Sequence, residues 1–234
     1  MSGLAALLSP DEWQAVRLSL SVAARSVAFG LPLAVLAAYA LARGRFWGRS
    51  LLDAAVHLPL VLPPVVVGWG LLLLFGVRGP VGALLQDWFG IRLVFTSAGA
   101  ALATGVMAFP LMVRAIRLSL EAVDPGLEAA ARTLGAGPVD RFLTVTLPSM
   151  APGVLAGAVV AFAAGLGEFG AVITFASNIQ GETQTLPLAI YAATQVPGGE
   201  TTAAKLSAVS FALAVAGLLL SELIARRMHR LLGR

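Results

Sequence analysis

Very few residues in this 234-residue chain have the types and spacing that catalysis or phosphate binding requires. The segment Gly165–Gly170 matches the pattern G-x-G-x-x-G, but it follows an apolar run rather than a strand, so we interpret the match as coincidental. Its glycines are expected to permit close helix packing or a helix break. A P-loop needs a lysine directly after glycine, whereas the single lysine, Lys205, follows Ala204. The chain therefore cannot hydrolyse ATP through a P-loop of its own.

The residue types also argue against metal chemistry and against the common hydrolase mechanisms. The chain has no cysteine, and its two histidines, His57 and His229, lie far apart in the sequence. A protein zinc site needs three or four such ligands close together, so neither a metal site nor a cofactor is predicted. The motifs H-E-x-x-H and G-x-S-x-G are both missing. An intramembrane enzyme is accordingly the least favoured class.

Glu168 is the one acidic residue deep inside a predicted membrane span. Ionisable groups at such positions are costly and usually face a cavity or a partner, which favours a gating or pathway-lining role. A fixed negative charge repels anions, so Glu168 is not expected to coordinate a substrate directly if that substrate is an anion. Two alternatives stay open: the carboxyl group makes an interhelical hydrogen bond, or the span ends before Glu168.

Hydroxyls, amides, arginines and backbone N–H groups at helix ends can bind polar or anionic solutes in proteins. Polar side chains of this kind cluster after the fourth predicted span, at its outer mouth, and are Ser177, Asn178, Thr183 and Thr185. They are candidates for lining a translocation pathway. Ordinary loop solvation is the alternative explanation for each of them taken singly.

Composition indicates which elements must position these groups. The chain is 58% hydrophobic and 12% charged, with a mean hydropathy of +0.88, whereas a soluble domain keeps about a quarter of its residues charged. We predict an all-α integral membrane protein that forms a single domain over residues 1–234. Runs of about 20 apolar residues predict five membrane spans, which cover residues 18–42, 58–77, 95–113, 150–176 and 203–225.

Arginine bias predicts the orientation of these spans. Eleven of the 16 basic residues fall on the side that holds the C-terminus: Arg43, Arg45, Arg49, Arg114, Arg117, Arg132, Arg141, Arg226, Arg227, Arg230 and Arg234. The richer side should be cytoplasmic, which places the N-terminus outside and the C-terminus inside. The basic residues are therefore topology signals, and no nucleic-acid partner is predicted. Arg25, near one end of the first span, is expected to snorkel.

Two further segments carry unusual residues. The second span begins with HLPLVLPPVVVGWG, in which Pro63 and Pro64 remove backbone donors. This predicts either a kink that aids packing or a helix break that lines a pathway. The loop of residues 177–202 faces outward, and its Leu186–Gln195 part is expected to form a short interfacial helix.

The predicted cytoplasmic loop of residues 124–148 is polar between long apolar blocks. Asp124 is a good N-cap, Pro125 suits the first helical position, and Gly135 is typical of a helix C-terminus. Pro138 opens a second short helix, which Leu147-Pro148 is expected to end. From the residues alone, this loop is either a connector packed on its own membrane domain or a helix that lies in a partner's groove.

This loop resembles the EAA loop of bacterial ABC importer permeases. Gly135 is followed by nine residues and then by Val145-Thr146-Leu147-Pro148, which is the spacing of that motif. The resemblance implies a coupling helix seated in a cleft of a separate ATPase subunit, formed by Glu128, Ala129, Ala130, Arg132, Leu134, Gly135, Leu147 and Pro148. The family's acidic position, six residues before the glycine, falls on Ala129, so the role of Glu128 stays open.

The resemblance extends along the chain. The segments HLPLVLPPVVVGWGLL (57–72), ARTLGAG (131–137) and GEFGAVITFASNIQGETQTLPLAIY (167–191) are similar to those of the molybdate-transporting members of this family, with the sulfate permeases as close cousins. It implies a multi-pass subunit of the bacterial cytoplasmic membrane that imports molybdate, and tungstate as well. The implied partners are cytoplasmic ABC ATPase subunits, an external substrate-binding protein and a second copy of the chain. A sulfate or thiosulfate permease, or a gradient-driven carrier that uses Glu168, are the alternatives.

Overall fold

The structure, a computed structural model, describes residues 8–231, with side chains up to residue 217 and those of residues 219 and 223. The first seven residues and Arg234, which the orientation prediction places outside and inside, fall beyond this range. All regular structure in the described part is helical, which confirms the all-α prediction. The helices are α1 Pro10–Arg43, α2 Arg49–Val61, α3 Pro64–Phe75, α4 Pro80–Phe89, α5 Ser97–Glu121, α6 Pro125–Thr133, α7 Pro138–Arg141, α8 Leu147–Leu166, α9 Gly170–Phe175, α10 Leu186–Thr194 and α11 Glu200–Leu231.

Helices α1, α5 and α8 form the centre of the molecule, and α5 packs against both of the others. A capping box begins α1, because the Ser9 Oγ accepts from the Glu12 N–H and the Glu12 carboxylate accepts from the Ser9 N–H. The core of the bundle is apolar and fully buried, as at Met112, Ile116 and Leu120 of α5. These three helices are the rigid frame to which the shorter elements attach.

The seam between α5 and α8 is made of small residues at every fourth position of α8: Gly153, Gly157, Ala161 and Gly165, all buried. Small side chains let two helix backbones approach closely in a membrane protein. A Cβ atom on Gly165 would lie 2.8 Å from the Cγ2 atom of Thr104, so no larger residue fits without movement. The expectation that the Gly165–Gly170 glycines serve helix packing is confirmed at this position.

Replacing Gly153 by alanine is expected to destabilise the protein, because the new methyl group would overlap the Ser119 side chain and approach the Ala115 carbonyl. Overpacking of this kind costs about 1–3 kcal/mol. We expect a lower midpoint of thermal unfolding for the detergent-solubilised chain. Gly217→Ala in α11 is the matched control, since nothing lies within 4 Å of its Cβ position and alanine favours the helix. Equal midpoints for the two variants would contradict the tight seam.

The second predicted span is not one helix. Helices α2 and α3 are separated at Leu62 and Pro63 and are bent by 119° relative to each other. Pro63 and Pro64 cause the break, because neither residue can donate a backbone hydrogen bond. Sequence reasoning missed α4, although Pro80 at its first turn and Gly90 in a left-handed conformation at its end are the usual boundary residues. Helix α4 has ten residues, which is too short for the pattern of about 20 apolar residues that predicts a membrane span.

The fourth predicted span, residues 150–176, is also interrupted. Helix α8 ends at Leu166, residues 167–169 form a break, and α9 follows from Gly170. Glu168 therefore lies in the break between α8 and α9 rather than inside a helix. Within the described residues, α1, α5 and the continuous helix of residues 138–166 are long and apolar enough to cross a membrane, and the bent α2–α3 pair is a fourth candidate.

The loop of residues 124–148 contains the predicted first helix but not the predicted end of the second. Helix α6 is capped by Asp124 and is followed by Gly135 at φ +89°. Helix α7 does not stop at Leu147-Pro148, because it continues through a π-helical segment, Phe142–Thr146, into α8. In this π segment the Leu147 N–H bonds to the Phe142 carbonyl, five residues back. The wider turn accommodates Pro148, which lacks an N–H, at the start of α8.

On the outer side of the predicted topology, α10 covers nearly the whole of the predicted short helix at residues 186–195. It packs against α1 and α11. Leu186 and Leu188 of α10 are buried, and the Leu186 N–H donates to the Ser19 hydroxyl of α1 over 2.6 Å. The helix is therefore anchored to the central bundle.

Candidate functional site

Residues 124–148, which we name the coupling unit after the role that the sequence predicts for them, present apolar side chains to the surroundings. None of the residues of α6 is buried. Leu134 is 87% exposed and Val139 is 71% exposed, and Leu127 is exposed beside them. Exposed leucine and valine in an otherwise polar, alanine-rich loop form the kind of patch that marks a protein contact. The predicted coupling residues Ala129, Ala130, Arg132, Leu134, Gly135 and Pro148 are all exposed on this unit, and Leu147 is half-buried.

Glu128 differs from its neighbours because its side chain contacts its own membrane domain. The Glu128 Oε1 atom accepts a hydrogen bond from the Thr146 hydroxyl over 3.1 Å and lies 3.4 Å from the Arg43 Nη2 atom. The Glu128 and Arg43 side chains are 21% and 24% exposed, so both are largely shielded from water. We name these three residues the Glu128 cluster. The cluster connects α6 to the end of α1 and to the π segment.

Arg43 extends this connection to α5. Its Nη2 atom lies 3.4 Å from the carbonyl oxygens of Leu120 and Val123, at the end of that helix. The Tyr39 ring of α1 also packs edge-on against Phe142 of the π segment, with ring centroids 5.3 Å apart. The sequence did not predict these contacts. Arg43 was interpreted only as a topology signal, and no sequence pattern pointed to a contact of Thr146. The coupling unit is thus attached to the ends of both α1 and α5.

The two helix breaks lie against each other. A Cβ atom on Gly170 would be 2.7 Å from the Pro64 Cβ, and one on Gly68 would be 2.7 Å from the Ala171 carbonyl oxygen. Helices α3 and α9 therefore pack at close range, and the break at Pro63 and Pro64 neighbours the break that contains Glu168. The structure brings together these three candidates, which are distant in sequence.

The Glu168 carboxylate has a local hydrogen-bond partner. Its Oε1 atom accepts from the Ala171 N–H over 2.9 Å, in the first turn of α9. This bond satisfies a backbone donor that the start of a helix leaves free. Among the described residues no salt-bridge partner lies near Glu168. Its position supports a role in fixing the break, and the bond is a local one rather than the interhelical hydrogen bond named above as an alternative.

The other pathway candidates lie beyond the opposite end of α9. Thr183 is fully buried, and its hydroxyl donates to the Ser177 carbonyl over 3.0 Å while it accepts from the Ile179 N–H over 2.9 Å. Ser177 has a φ of +65°, which is uncommon for a residue other than glycine. Thr183 therefore stabilises this turn instead of facing solvent. The Asn178 Oδ1 and Thr185 Oγ1 atoms are buried without a hydrogen-bond partner in the described part of the chain.

No group of three or more histidine, aspartate or glutamate side chains suited to a metal is found in the part of the chain that the structure describes. His57 instead contacts Asp53 of the same helix, and Asp53 also pairs with Arg117 of α5 over 3.0 Å. These contacts join α2 to α5 near the cytoplasmic end of the predicted topology.

The chain matches a known class of membrane protein. Residues 30–234 match the family model described as "Binding-protein-dependent transport system inner membrane component". The chain belongs to this family of transporter inner membrane components. The family resemblance, the transport class and the inner-membrane location inferred from the sequence are thereby confirmed, and the chain is a transport subunit rather than an enzyme.

Individual relatives agree with this assignment. The chain is 56% identical over 228 residues to the molybdenum transport system permease protein ModB of Escherichia coli (strain K12), which covers 97% of this chain and 100% of that protein. It is 53% identical to ModB of Haemophilus influenzae, over 95% of this chain and 97% of that protein. A sulfate transport system permease, CysW of Synechococcus elongatus, is 41% identical over 75% of this chain and 61% of its own length.

Solved structures support the fold. A bacterial ABC transporter that imports alginate has a chain with a TM-score of 0.73 and 18% sequence identity, covering 99% of this chain and 83% of its own. An inward-facing MetNI methionine ABC transporter gives a TM-score of 0.68, also at 18% identity, over 97% of this chain and 99% of its own. At this identity the likeness establishes the ABC transporter permease fold.

Proposed function

We propose that this chain is the membrane permease subunit of an ATP-driven importer of molybdate, and of tungstate as well. The observation that carries the proposal is the 56% identity to a molybdenum permease over nearly the whole length of both chains. A binding protein outside the membrane delivers the oxyanion, and separate cytoplasmic ABC ATPase subunits supply the energy. The class of transporter and the absence of a P-loop agree with that division of labour.

The coupling unit is the proposed site of ATPase contact. The exposed Leu127, Leu134 and Val139 provide an apolar face, and the small side chains of Ala129 and Ala130 let α6 lie close to a groove. The Glu128 cluster connects that face to α1, α5 and α8. A displacement of α6 by the ATPase would therefore move these three long helices with it. This is a rigid-body route from ATP hydrolysis to alternating access.

The topology remains part of the proposal. The apolar runs support five spans, and the arginine distribution supports an N-terminus outside and a cytoplasmic C-terminus. Two copies would form the translocation pathway between them, lined in part by the neighbouring breaks at Pro63, Pro64 and Glu168. Ser177, Asn178 and Thr183 would shape its outer end, with Thr183 acting through the backbone it holds.

The test is uptake of radiolabelled molybdate into vesicles that contain the purified permease, with and without its ATPase and binding protein. We expect ATP-dependent uptake only in the complete system, because the permease has no P-loop of its own. Tungstate should compete with molybdate, and sulfate should compete at least tenfold more weakly.

Sulfate competing better than molybdate would favour the sulfate alternative, for which the 41% identity to CysW is the supporting observation. Uptake by the permease alone, driven by a proton gradient and abolished by Glu168→Gln, would instead establish a gradient-driven carrier. Either result would contradict the proposed function.

A further inference from the structure

A cavity of about 580 Å³ lies between α1, α2, α3 and α5, away from the coupling unit. Its walls are almost entirely apolar and include Phe29, Leu33, Val106 and Phe109. Phe29 is 75% exposed and Leu33 is 60% exposed, so the cavity opens sideways onto the surface of α1. At the depth of the membrane, such an opening is accessible to the hydrocarbon chains of the bilayer.

Arg25 is the charged residue on the wall of this cavity. Its guanidinium donates to the Ser21 hydroxyl over 2.7 and 3.1 Å and to the Ser97 hydroxyl over 3.3 Å. Both partners are neutral, and no carboxylate pairs with Arg25 among the residues that the structure describes. A guanidinium has five N–H donors, so further donors remain for an anion. The two serines hold this positive charge in place at one end of the apolar cavity.

The dimensions of the cavity match one leaflet of a bilayer. Arg25 lies level with Ser97, at the first residue of α5, which is the outer end of that helix in the proposed topology. From Ala98 to Phe109 the cavity follows α5 for about 17 Å, at 1.5 Å per residue. Half of a bilayer's hydrocarbon core is about 15 Å thick. An acyl chain whose headgroup meets Arg25 would therefore fit along the cavity.

We propose that this cavity binds one acyl chain of an anionic phospholipid from the outer leaflet, with Arg25 holding the headgroup phosphate. Arginine matches phosphate oxygens with paired N–H donors, and an unpaired cation within a membrane is costly unless an anion or water reaches it. The phospholipid satisfies both the charge and the apolar walls. A free oxyanion would leave those walls empty.

Native mass spectrometry of the delipidated permease tests this assignment. We expect one palmitoyl-oleoyl phosphatidylglycerol to bind per chain, at least tenfold more tightly than the matching phosphatidylcholine. Arg25→Gln should remove the preference between the two lipids. Arg17→Gln, which deletes an exposed arginine of the same helix outside the cavity, should leave it unchanged. Gly105→Leu should weaken both lipids, because it adds volume at the wall where a Cβ atom has only ordinary contacts.

Three results would overturn the proposal. The first is an undiminished preference for phosphatidylglycerol in Arg25→Gln. The second is displacement of the lipid by inorganic phosphate or molybdate in an Arg25-dependent manner, which would make the cavity a site for free oxyanions. The third is a disulfide between two copies of Phe29→Cys in the membrane, which would mean that a second copy covers the cavity. The chain has no native cysteine, so that crosslink would be unambiguous.

Discussion

Gly135→Val is expected to lower ATP-dependent uptake in the reconstituted importer about tenfold, without loss of membrane insertion. Gly135 follows α6 with a φ of +89°, a conformation that costs an ordinary side chain about 1–2 kcal/mol and a β-branched one more. No atom lies within 4 Å of a Cβ at this position, so the penalty comes from the backbone alone. A cost of about 1.4 kcal/mol lowers the equilibrium constant for the native turn about tenfold. Uptake and ATPase association, measured side by side, check the result.

Gly135→Asn is the matched control, because asparagine tolerates the left-handed conformation better than other side chains. We expect it to keep at least a third of the wild-type uptake. If valine and asparagine reduced uptake equally, the defect would arise from the added side chain at the ATPase contact. The backbone conformation of Gly135 would then not be the determinant.

Glu128→Leu is expected to lower coupled uptake by at least tenfold and to lower the thermal midpoint of the permease on its own. The substitution leaves the shielded Arg43 guanidinium without its acid and the buried Thr146 hydroxyl without one acceptor. A hydrogen bond to a charged group contributes about 1.5–3 kcal/mol to the free energy of unfolding. The contribution is smaller here, because the Glu128 and Arg43 side chains are partly exposed. The thermal midpoint of the isolated permease measures the loss of the contact within the protein. Uptake by the complete importer measures the effect of that loss on coupling to the ATPase.

Glu128→Gln should retain most of both properties, since the amide oxygen still accepts from Thr146 and Arg43. Asp140→Leu removes an exposed acid from the same loop and should leave the midpoint of the isolated permease unchanged. A normal midpoint for Glu128→Leu, combined with lost ATPase association, would mean that Glu128 acts on the partner. The Glu128 cluster would then have no role in joining α6 to the spans.

The sequence predicted those features that local chemistry determines. Asp124, Pro125 and Gly135 set the limits of α6 through capping and left-handed backbone conformation, and all three act as predicted. Long apolar runs likewise predicted α1 and α5, because each run is contained in one stretch of the sequence. The prediction that Leu147-Pro148 ends a helix was wrong. The π segment before Pro148 accommodates the proline within a continuous helix.

The site itself was less predictable, because its contacts join residues far apart in the chain. Thr146 and Arg43 meet Glu128 across 18 and 85 positions, and neither pairing leaves a periodic signal in one sequence. The contact between Gly170 and Pro64 also joins residues far apart in the chain. The prolines predicted a break in the second span, but only the packed structure places it beside the break at Glu168.

The π segment carries a consequence for how this protein tolerates changes in length. A π-helical turn holds one residue more than an α-helical turn, so it preserves the equivalent of a single-residue insertion between α7 and α8. Deleting one residue from Phe142–Thr146 would therefore restore a regular helix while α6 and α7 keep their present orientation about the axis of α8. Deleting one residue from the α-helical part of α8 would instead rotate α6 and α7 by about 100°, so that the face proposed to meet the ATPase would point elsewhere. A one-residue change in length is thus absorbed within the π segment, whereas the same change within α8 would alter the fit to the proposed partner.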